Sequence, residues 1–263
     1  MFYHWEERDP LGSLPNEVTS GAGLRPAVAT WAGVEAEVIY STAGAGARRG
    51  ATVRNIGVEA GRSLALGYEY YRRSLGGELD REVFTADYRE YVPIPKLLHH
   101  VLAWRLHYGA AWGDDRVIPT FRMGGGYNDA ILPEPGTRFF SLRGFGLDQF
   151  WGERAAAGYV EYRLPLSWAE HGWGMVPIYY YGAHLTLFTD AGMTWGGRLN
   201  KRLDNPQGLG TRDLNLGAGA EVDYRLHLGY ALGSDMIGRI GYAYNIQGEG
   251  LGGTLFLSLG VSF

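Results

Sequence analysis

The C-terminal stretch Thr254–Phe263, TLFLSLGVSF, has a strict period of two. One alternate set is large and apolar and ends in the terminal phenylalanine: Leu255, Leu257, Leu259, Val261 and Phe263. The other set contains Phe256 and three small residues, Ser258, Gly260 and Ser262. Because successive side chains of an extended chain point to opposite sides, this pattern predicts a β-strand with one apolar face.

Two preceding stretches alternate in the same way, with charged residues on the second face. In Gly217–Leu226, GAGAEVDYRL, the second face carries Gly219, Glu221, Asp223 and Arg225. In Met236–Ile246, MIGRIGYAYNI, it carries Arg239, Gly241, Ala243 and Asn245. Charged side chains turned away from lipid require water or each other. The polar interior of a transmembrane β-barrel provides that environment.

The composition agrees with a barrel. The 263-residue sequence contains 41 Gly, 18 Tyr, 10 Phe and 8 Trp, and it has no Cys. This content is unusual for a soluble α/β enzyme and suits an outer-membrane β-barrel with aromatic girdles. No apolar run approaches the ~18 residues of a transmembrane helix, whereas a barrel strand needs only about 9–11. We predict an all-β fold, one transmembrane antiparallel β-barrel over residues 1–263, in the bacterial outer membrane of a Gram-negative cell.

The alternation predicts about twelve strands. Counted from the C-terminus, they lie near 254–263, 236–247, 214–227, 182–195, 156–166, 101–112, 82–93, 64–75, 51–61, 33–42, 22–31 and 2–8. An even number of strands places both chain ends on the periplasmic side. Phe263, which ends the last strand, is the predicted C-terminal barrel signal.

One predicted connection is far longer than the others. It covers about residues 113–155, between the strand that ends near Trp112 and the strand that begins near Ala156. We predict no helix or clear strand within it, and connections of this length are usually functional or disordered. Its Phe, Leu, Trp and Gly content favours a packed segment over a solvated one. We therefore predict a long extracellular loop that folds into the barrel interior.

Three short motifs lie in this loop and on the next two strands: Ser141–Phe145 (SLRGF), Gly158–Glu161 (GYVE) and Phe188–Gly192 (FTDAG). In order and placement they resemble the (V/I/L)-R-G-(F/Y), G-x-x-E and F-x-D-x-G motifs of the BamA-type superfamily. These bacterial surface-antigen barrels include TamA and the two-partner-secretion transporters. The resemblance covers about Val101 to Phe263. It assigns the following residues to a loop-anchoring motif and its support: Arg143, Gly144 and Phe145, with Gly158, Phe188 and Gly192.

Strand alternation independently supports this grouping. On the strand near 156–166, the parity of Glu161 is that of an inward-facing residue, and Asp190 points inward by the same count. Adjacent strands lie about 4.8 Å apart, so inward carboxylates on neighbouring strands can reach one guanidinium. We expect Arg143 to hold the loop inside the barrel by charge-assisted hydrogen bonds to these carboxylates. Gly144 would let the backbone pass close to the wall.

Less specific interpretations stay open. One makes Arg143 an ordinary exposed loop arginine, and another makes Glu161 and Asp190 solvated charges without a shared partner. Gly192 is compatible with a bulge or a strand-packing glycine. The remaining inward charges predict a generic polar lining rather than a site: Glu221, Asp223, Arg225 and Arg239.

The resemblance implies a role in outer-membrane protein assembly, insertion or translocation, with membrane lipid and unfolded outer-membrane or secreted clients as partners. Typical members have sixteen strands and periplasmic POTRA domains ahead of the barrel. This sequence fits about twelve strands and offers no POTRA segment. We therefore expect a short form of the superfamily or a fragment of a longer chain, and a separate POTRA-bearing protein is a candidate partner. The alternative functions are a passive pore and a structural membrane module without insertase activity.

Other chemistry is weakly indicated. A formal net charge of −4 gives no basic field, so we expect no nucleic-acid partner. The glycine-rich segment at 124–128 follows no strand–helix unit and does not predict a phosphate site. His99 and His100 are adjacent and would point to opposite faces of a strand, which disfavours metal binding. The sequence has no G-x-S-x-G motif. We expect no enzyme activity, no catalytic residue, no metal and no cofactor.

Overall fold

The protein is all-β, as the alternation predicts. The computed structural model describes residues 32–43, 58–114, 121–125, 138–167, 171–172, 175, 177–196, 214–229, 234–246 and 253–262. Within these ranges the chain forms strands and one 3-10 turn, Arg73–Leu75. The described part contains no helix with the length and apolarity needed to cross a membrane.

The strands differ greatly in length. In chain order they are β1 Gly33–Ser41, β2 Gly61–Tyr71, β3 Arg81–Pro93, β4 Val101–Gly113, β5 Phe121–Gly124, β6 Phe139–Ser141, β7 Phe150–Gly152, β8 Arg154–Ser167, β9 His171–Gly172, β10 Ile178–Trp195, β11 Asn215–Leu228, β12 Ser234–Asn245 and β13 Gly253–Ser262. The longest strand, β10, has 18 residues, whereas β1 has 9 and β13 has 10.

Most strands belong to one antiparallel sheet, in which each long strand pairs with the long strands before and after it in the chain. Its order is β1-β2-β3-β4-β8-β10-β11-β12-β13, and the short β9 pairs with β10. These nine long strands correspond to nine of the twelve predicted ones. The predicted strands 2–8 and 22–31 lie outside the described residues. The prediction at 51–61 lies mostly outside them. Of its described residues, 58–60 are not part of a strand, and Gly61 is the first residue of β2.

The two faces of this sheet have opposite character. One face, which we call the outer face, exposes large apolar side chains: Leu106, Val160, Leu187, Ile240, Leu255 and Leu257. The other, which we call the loop face, buries polar and charged side chains: Glu69, Asp87, Arg89, Thr186, Asp190, Glu221 and Asp223. A sheet of a water-soluble protein normally places apolar residues inside and polar residues outside. Here the strict alternation produces the reverse arrangement.

We call the connection between β4 and β8, residues 114–153, the long loop. Its described parts, residues 121–125 and 138–153, pack on the loop face. The prediction that it lacks strands is wrong, since β6, β5 and β7 form a small sheet of their own. A buried segment must satisfy its backbone N–H and C=O groups, and pairing these short strands does so. The loop contributes a set of buried apolar side chains that pack on the large sheet: Phe121, Met123, Phe140, Leu142, Phe145 and Phe150.

Candidate functional site

Arg143 of the long loop lies at the centre of a buried group of charges. It follows β6, and only 5% of its surface is exposed. Its guanidinium binds Asp190 of β10 through two bonds, Nε to Oδ2 at 2.7 Å and Nη2 to Oδ1 at 2.5 Å. The backbone N–H of Arg143 also donates to Asp190 Oδ2 at 3.1 Å. Asp190 therefore holds both the side chain and the backbone of the loop, in the bidentate geometry that makes arginine–carboxylate pairs strong.

Two more carboxylates complete what we call the arginine cluster, which consists of Arg143, Glu161, Asp190 and Glu221. Nη1 of Arg143 lies 3.0 Å from Glu161 Oε1 on β8 and 3.2 Å from Glu221 Oε1 on β11. Glu161 also binds Arg163, whose Nη2 lies 2.6 Å from its Oε2. This second cation offsets part of the excess negative charge. One loop residue thus links three neighbouring strands.

The ring of Phe188 packs against the flat face of the Arg143 guanidinium. The Cζ atom of Arg143 lies 3.6 Å from the ring centroid, in cation–π geometry. Phe188 precedes Asp190 by two residues on β10, so both side chains emerge on the loop face. The motif residues Phe188 and Asp190 therefore contact the same guanidinium, one through its face and the other through its edge.

Glycines allow the backbone of the long loop to contact the large sheet directly. Gly144 has a φ of +93°, a conformation that favours glycine, and a Cβ there would lie 3.1 Å from the backbone carbonyl carbon of Tyr244 on β12. On β11, a Cβ at Gly217 would collide with the carbonyl oxygen of Arg143. Both contacts are with backbone atoms, which cannot rotate away. The loop therefore lies directly against β11 and β12.

The other predicted motif residues have different positions. Phe145 is buried and packs edge-to-face against Phe150, with ring centroids 5.5 Å apart. Gly192 leaves space for Met123, whose sulfur would lie 2.7 Å from an added Cβ. Gly158 is on the outer face of β8, beside Leu106, and does not contact the cluster. Phe263 lies outside the described residues.

Further contacts attach the long loop to the strands on the other side of the sheet. Arg138 forms an ion pair with Glu69 of β2, and Glu153 forms one with Arg81 of β3. Two more contacting pairs involve aromatic residues. The ring of Phe140 stacks on His107 of β4 at 3.8 Å and 11°. The hydroxyl of Tyr159 donates to the carbonyl of Ser141 at 2.8 Å. The loop is thus held at residues 138–141 and at Glu153 as well as at Arg143.

A second charged group lies beside the arginine cluster on β10, β11 and β12. Asp223 accepts a hydrogen bond from Thr186 at 2.8 Å and lies 2.9 Å from both His184 Nε2 and Arg239 Nε. Asp223 and Arg239 are therefore paired with each other. Arg225, also expected in a generic lining, lies over the ring of Tyr181 at 5.0 Å. Among the residues described, no group of three or more acidic, His or Cys side chains is arranged to hold a metal ion.

Sequence reasoning singled out Arg143, Glu161 and Asp190, and the structure brings them together. It missed Glu221, which was assigned to the generic polar lining. Alternation places Glu221 on the loop face, but its partner depends on the register of β10 with β11, in which Glu221 lies opposite Thr186. Register is set by contacts between distant segments, so no local signal separates Glu221 from the other inward charges.

Comparison with protein-family models gives no match, and comparison with curated proteins gives no significant match. The class of the site therefore follows from its geometry. In the cluster, each of the three acids lies within ion-pair distance of the Arg143 guanidinium. Its chemistry is that of a loop anchor, in which charge and hydrogen bonds fix a backbone segment.

Substituting Gly217 with valine is expected to displace the long loop and destabilise the fold by about 1–3 kcal/mol, because a Cβ there collides with the Arg143 carbonyl. Limited proteolysis within the loop and urea unfolding measure the two effects. The matched control is Ala218→Val, at the next residue, which points to the opposite face of β11. Equal effects of the two substitutions would mean that the loop does not press on Gly217.

Proposed function

We propose that this protein is an outer-membrane β-barrel of the BamA-type superfamily that takes part in inserting or translocating other proteins. The observation that carries the proposal is the ion pair of the buried Arg143 with Asp190, joined by Glu161. These are the residues that the three motifs assign to a loop anchor. The motif order supports the superfamily, and the contacts give each motif a physical reason.

The two faces of the sheet support a membrane barrel. Leucine, valine and isoleucine exposed on the outer face suit hydrocarbon, while the ion-paired loop face suits a polar interior. Each long strand has at least the length needed to span a bilayer, about 9–11 residues. The predicted strands at 2–8 and 22–31, which precede β1 in the chain, would extend the sheet and allow it to close. The predicted strand at 51–61 cannot join this sheet between β1 and β2, because those two strands pair directly.

The reach of the long loop supports a sheet curved around it. Glu69 of β2 binds Arg138, and Tyr244 of β12 lies against Gly144. In a flat sheet these strands, six positions apart in the order, would be about 29 Å apart. A loop sheet of only three short strands contacts both sides more readily when the large sheet wraps around it.

The depth of the arginine cluster supports an inward loop rather than an open channel. Asp190 lies five residues from Trp195, the end of β10, which is about 17 Å along the strand. At this depth, six buried apolar side chains of the loop pack against the large sheet. An interior filled in this way disfavours a passive pore. A client would therefore have to pass through an opening between strands of the barrel.

The unequal strand lengths suggest where that change occurs. The strands β1 and β13, at the two ends of the sheet order, are about half as long as β10. Closure through the predicted strands 2–8 and 22–31 would place β13 beside the first strand, and this seam would lie on a short side of the barrel, where a bilayer thins to match the shorter apolar band. We propose that clients enter the membrane along this seam, delivered by a separate POTRA-bearing protein.

Reconstitution into liposomes tests the proposal. We expect liposomes that contain the protein to accelerate the folding of an unfolded outer-membrane β-barrel client relative to empty liposomes, and Arg143→Ala to reduce that acceleration. Planar-bilayer recording of the same preparation should show no large steady current. A large steady current without client acceleration would identify a passive pore, and neither activity would leave a structural membrane module.

A further inference from the structure

We propose that Phe256 of β13 couples the last strand of the sheet to the arginine cluster through Phe188. This inference rests on the proposed function, since it explains how the anchored loop and the seam strand would influence each other. Phe256 follows Leu255 and precedes Leu257, two outer-face residues, so its ring points to the loop face.

A continuous stack of side chains connects the two regions. The guanidinium of Arg143 lies on one side of Phe188, at 3.6 Å from the ring centroid. The ring of Phe256 packs against Phe188 with centroids 6.3 Å apart and planes inclined at 56°. This tilted arrangement is one that aromatic pairs favour. Arg143, Phe188 and Phe256 therefore form a row from the loop to the last strand.

Glycines on the two intervening strands make this row possible. The strands β11 and β12 separate β10 from β13. On β11, a Cβ at Gly219 would lie 2.6 Å from Cζ of Phe188. On β12, a Cβ at Gly241 would lie 2.9 Å from Cε2 of Phe256. The two rings thus occupy the space of two missing side chains and meet across both strands.

The contact gives β13 a direct connection to the anchor that strand pairing does not provide. Among the described strands, β13 pairs only with β12. If β13 separated from β12, the ring of Phe256 would no longer pack against Phe188. The Phe188 ring would then be less well held against the Arg143 guanidinium. By thermodynamic reciprocity, loosening Arg143 must weaken β13 by the same amount. Release of Arg143 from its carboxylates and separation of β13 from β12 would then favour each other.

Hydrogen exchange in liposomes, read by mass spectrometry, tests the coupling in both directions. Phe256→Ala is expected to speed exchange in residues 139–145 by about threefold or more, as expected for residues coupled through direct contact. Arg143→Ala is expected to speed exchange in residues 253–258. The matched control is Leu257→Ala, the adjacent residue, whose side chain is 73% exposed on the outer face and which should leave residues 139–145 unchanged. The milder Phe256→Leu serves if the alanine variant does not fold.

The outcomes separate this coupling from the proposed function. Faster exchange in residues 253–258 alone, with residues 139–145 unaffected by either Phe256 variant, would overturn the coupling. Equal effects of the Phe256 and Leu257 variants on residues 139–145 would also overturn it. If the reciprocal exchange effects appear while the protein fails to accelerate client folding, the coupling stands and the insertion function falls.

Discussion

Arg143→Ala is expected to lower the free energy of unfolding by about 3–5 kcal/mol, the cost of leaving a buried charge without its partner. The side chains of Asp190 and Glu221 are 0% and 2% exposed, so both carboxylates lose their cation in a buried environment. Urea unfolding in detergent micelles, followed by tryptophan fluorescence, measures the loss. Heat-modifiable gel mobility shows whether the protein still folds, and proteolysis near residues 141–145 shows whether the loop is released.

The control for this substitution is Arg154→Ala, which removes an exposed arginine from the first position of β8. We expect it to change stability by about 0.5 kcal/mol or less, as is usual at exposed positions. Similar losses for both variants would mean that Arg143 has no special role.

A double-mutant cycle joins Arg143→Ala to Asp190→Asn. Because the two side chains share two hydrogen bonds, their effects should depart from additivity by about 1 kcal/mol or more. The same cycle with Glu221→Gln should give a smaller coupling, since the 3.2 Å contact between Arg143 and Glu221 is longer than the two bonds to Asp190. Additive effects at Asp190 would contradict the anchor and remove the main support for the superfamily.

The second large effect is expected on the outer face. Leu106→Arg should destabilise the protein in lipid bilayers by about 2–4 kcal/mol, because an arginine at the bilayer midplane loses its hydration. Leu106 lies at the middle of β4 and is 59% exposed. Unfolding in phosphatidylcholine vesicles is the appropriate measurement, since detergent micelles admit water more readily.

The same change at Leu98 is the matched control. Leu98 lies in the connection between β3 and β4 and is 78% exposed, beyond the strand ends. Leu98→Arg should therefore cost about 0–1 kcal/mol, as at a membrane interface. If both substitutions were harmless, the outer face would be in contact with water, and the membrane location would be wrong even with the arginine cluster intact.

The two results address independent parts of the proposal. If Arg143→Ala lowers stability and Leu106→Arg does not, the loop is anchored on a sheet whose outer face does not contact lipid. A loss at Leu106 without one at Arg143 would leave a membrane sheet whose loop is held by its other contacts, Arg138 with Glu69 and Glu153 with Arg81. The insertion function requires both.

Much of the large sheet could be predicted because strand character is local. The period of two identifies β11, β12 and β13 and assigns Glu161 and Asp190 to one face, since the direction of a side chain depends only on its parity. The strands β5, β6 and β7 could not be predicted. They have only three or four residues each, and they form because burial against the large sheet forces their backbone groups to pair.

Alternation and motif order, which are properties of neighbouring residues, predict the all-β fold, the opposite character of the two faces and the candidate anchor residues. The tertiary structure alone shows that Glu221 joins Arg143, that the loop backbone lies against Gly217 and Tyr244, and that Phe256 contacts Phe188 across two strands. Those contacts depend on strand register and on the path of the long loop. Both are set by the packing of segments far apart in the chain, where no local pattern specifies the partner.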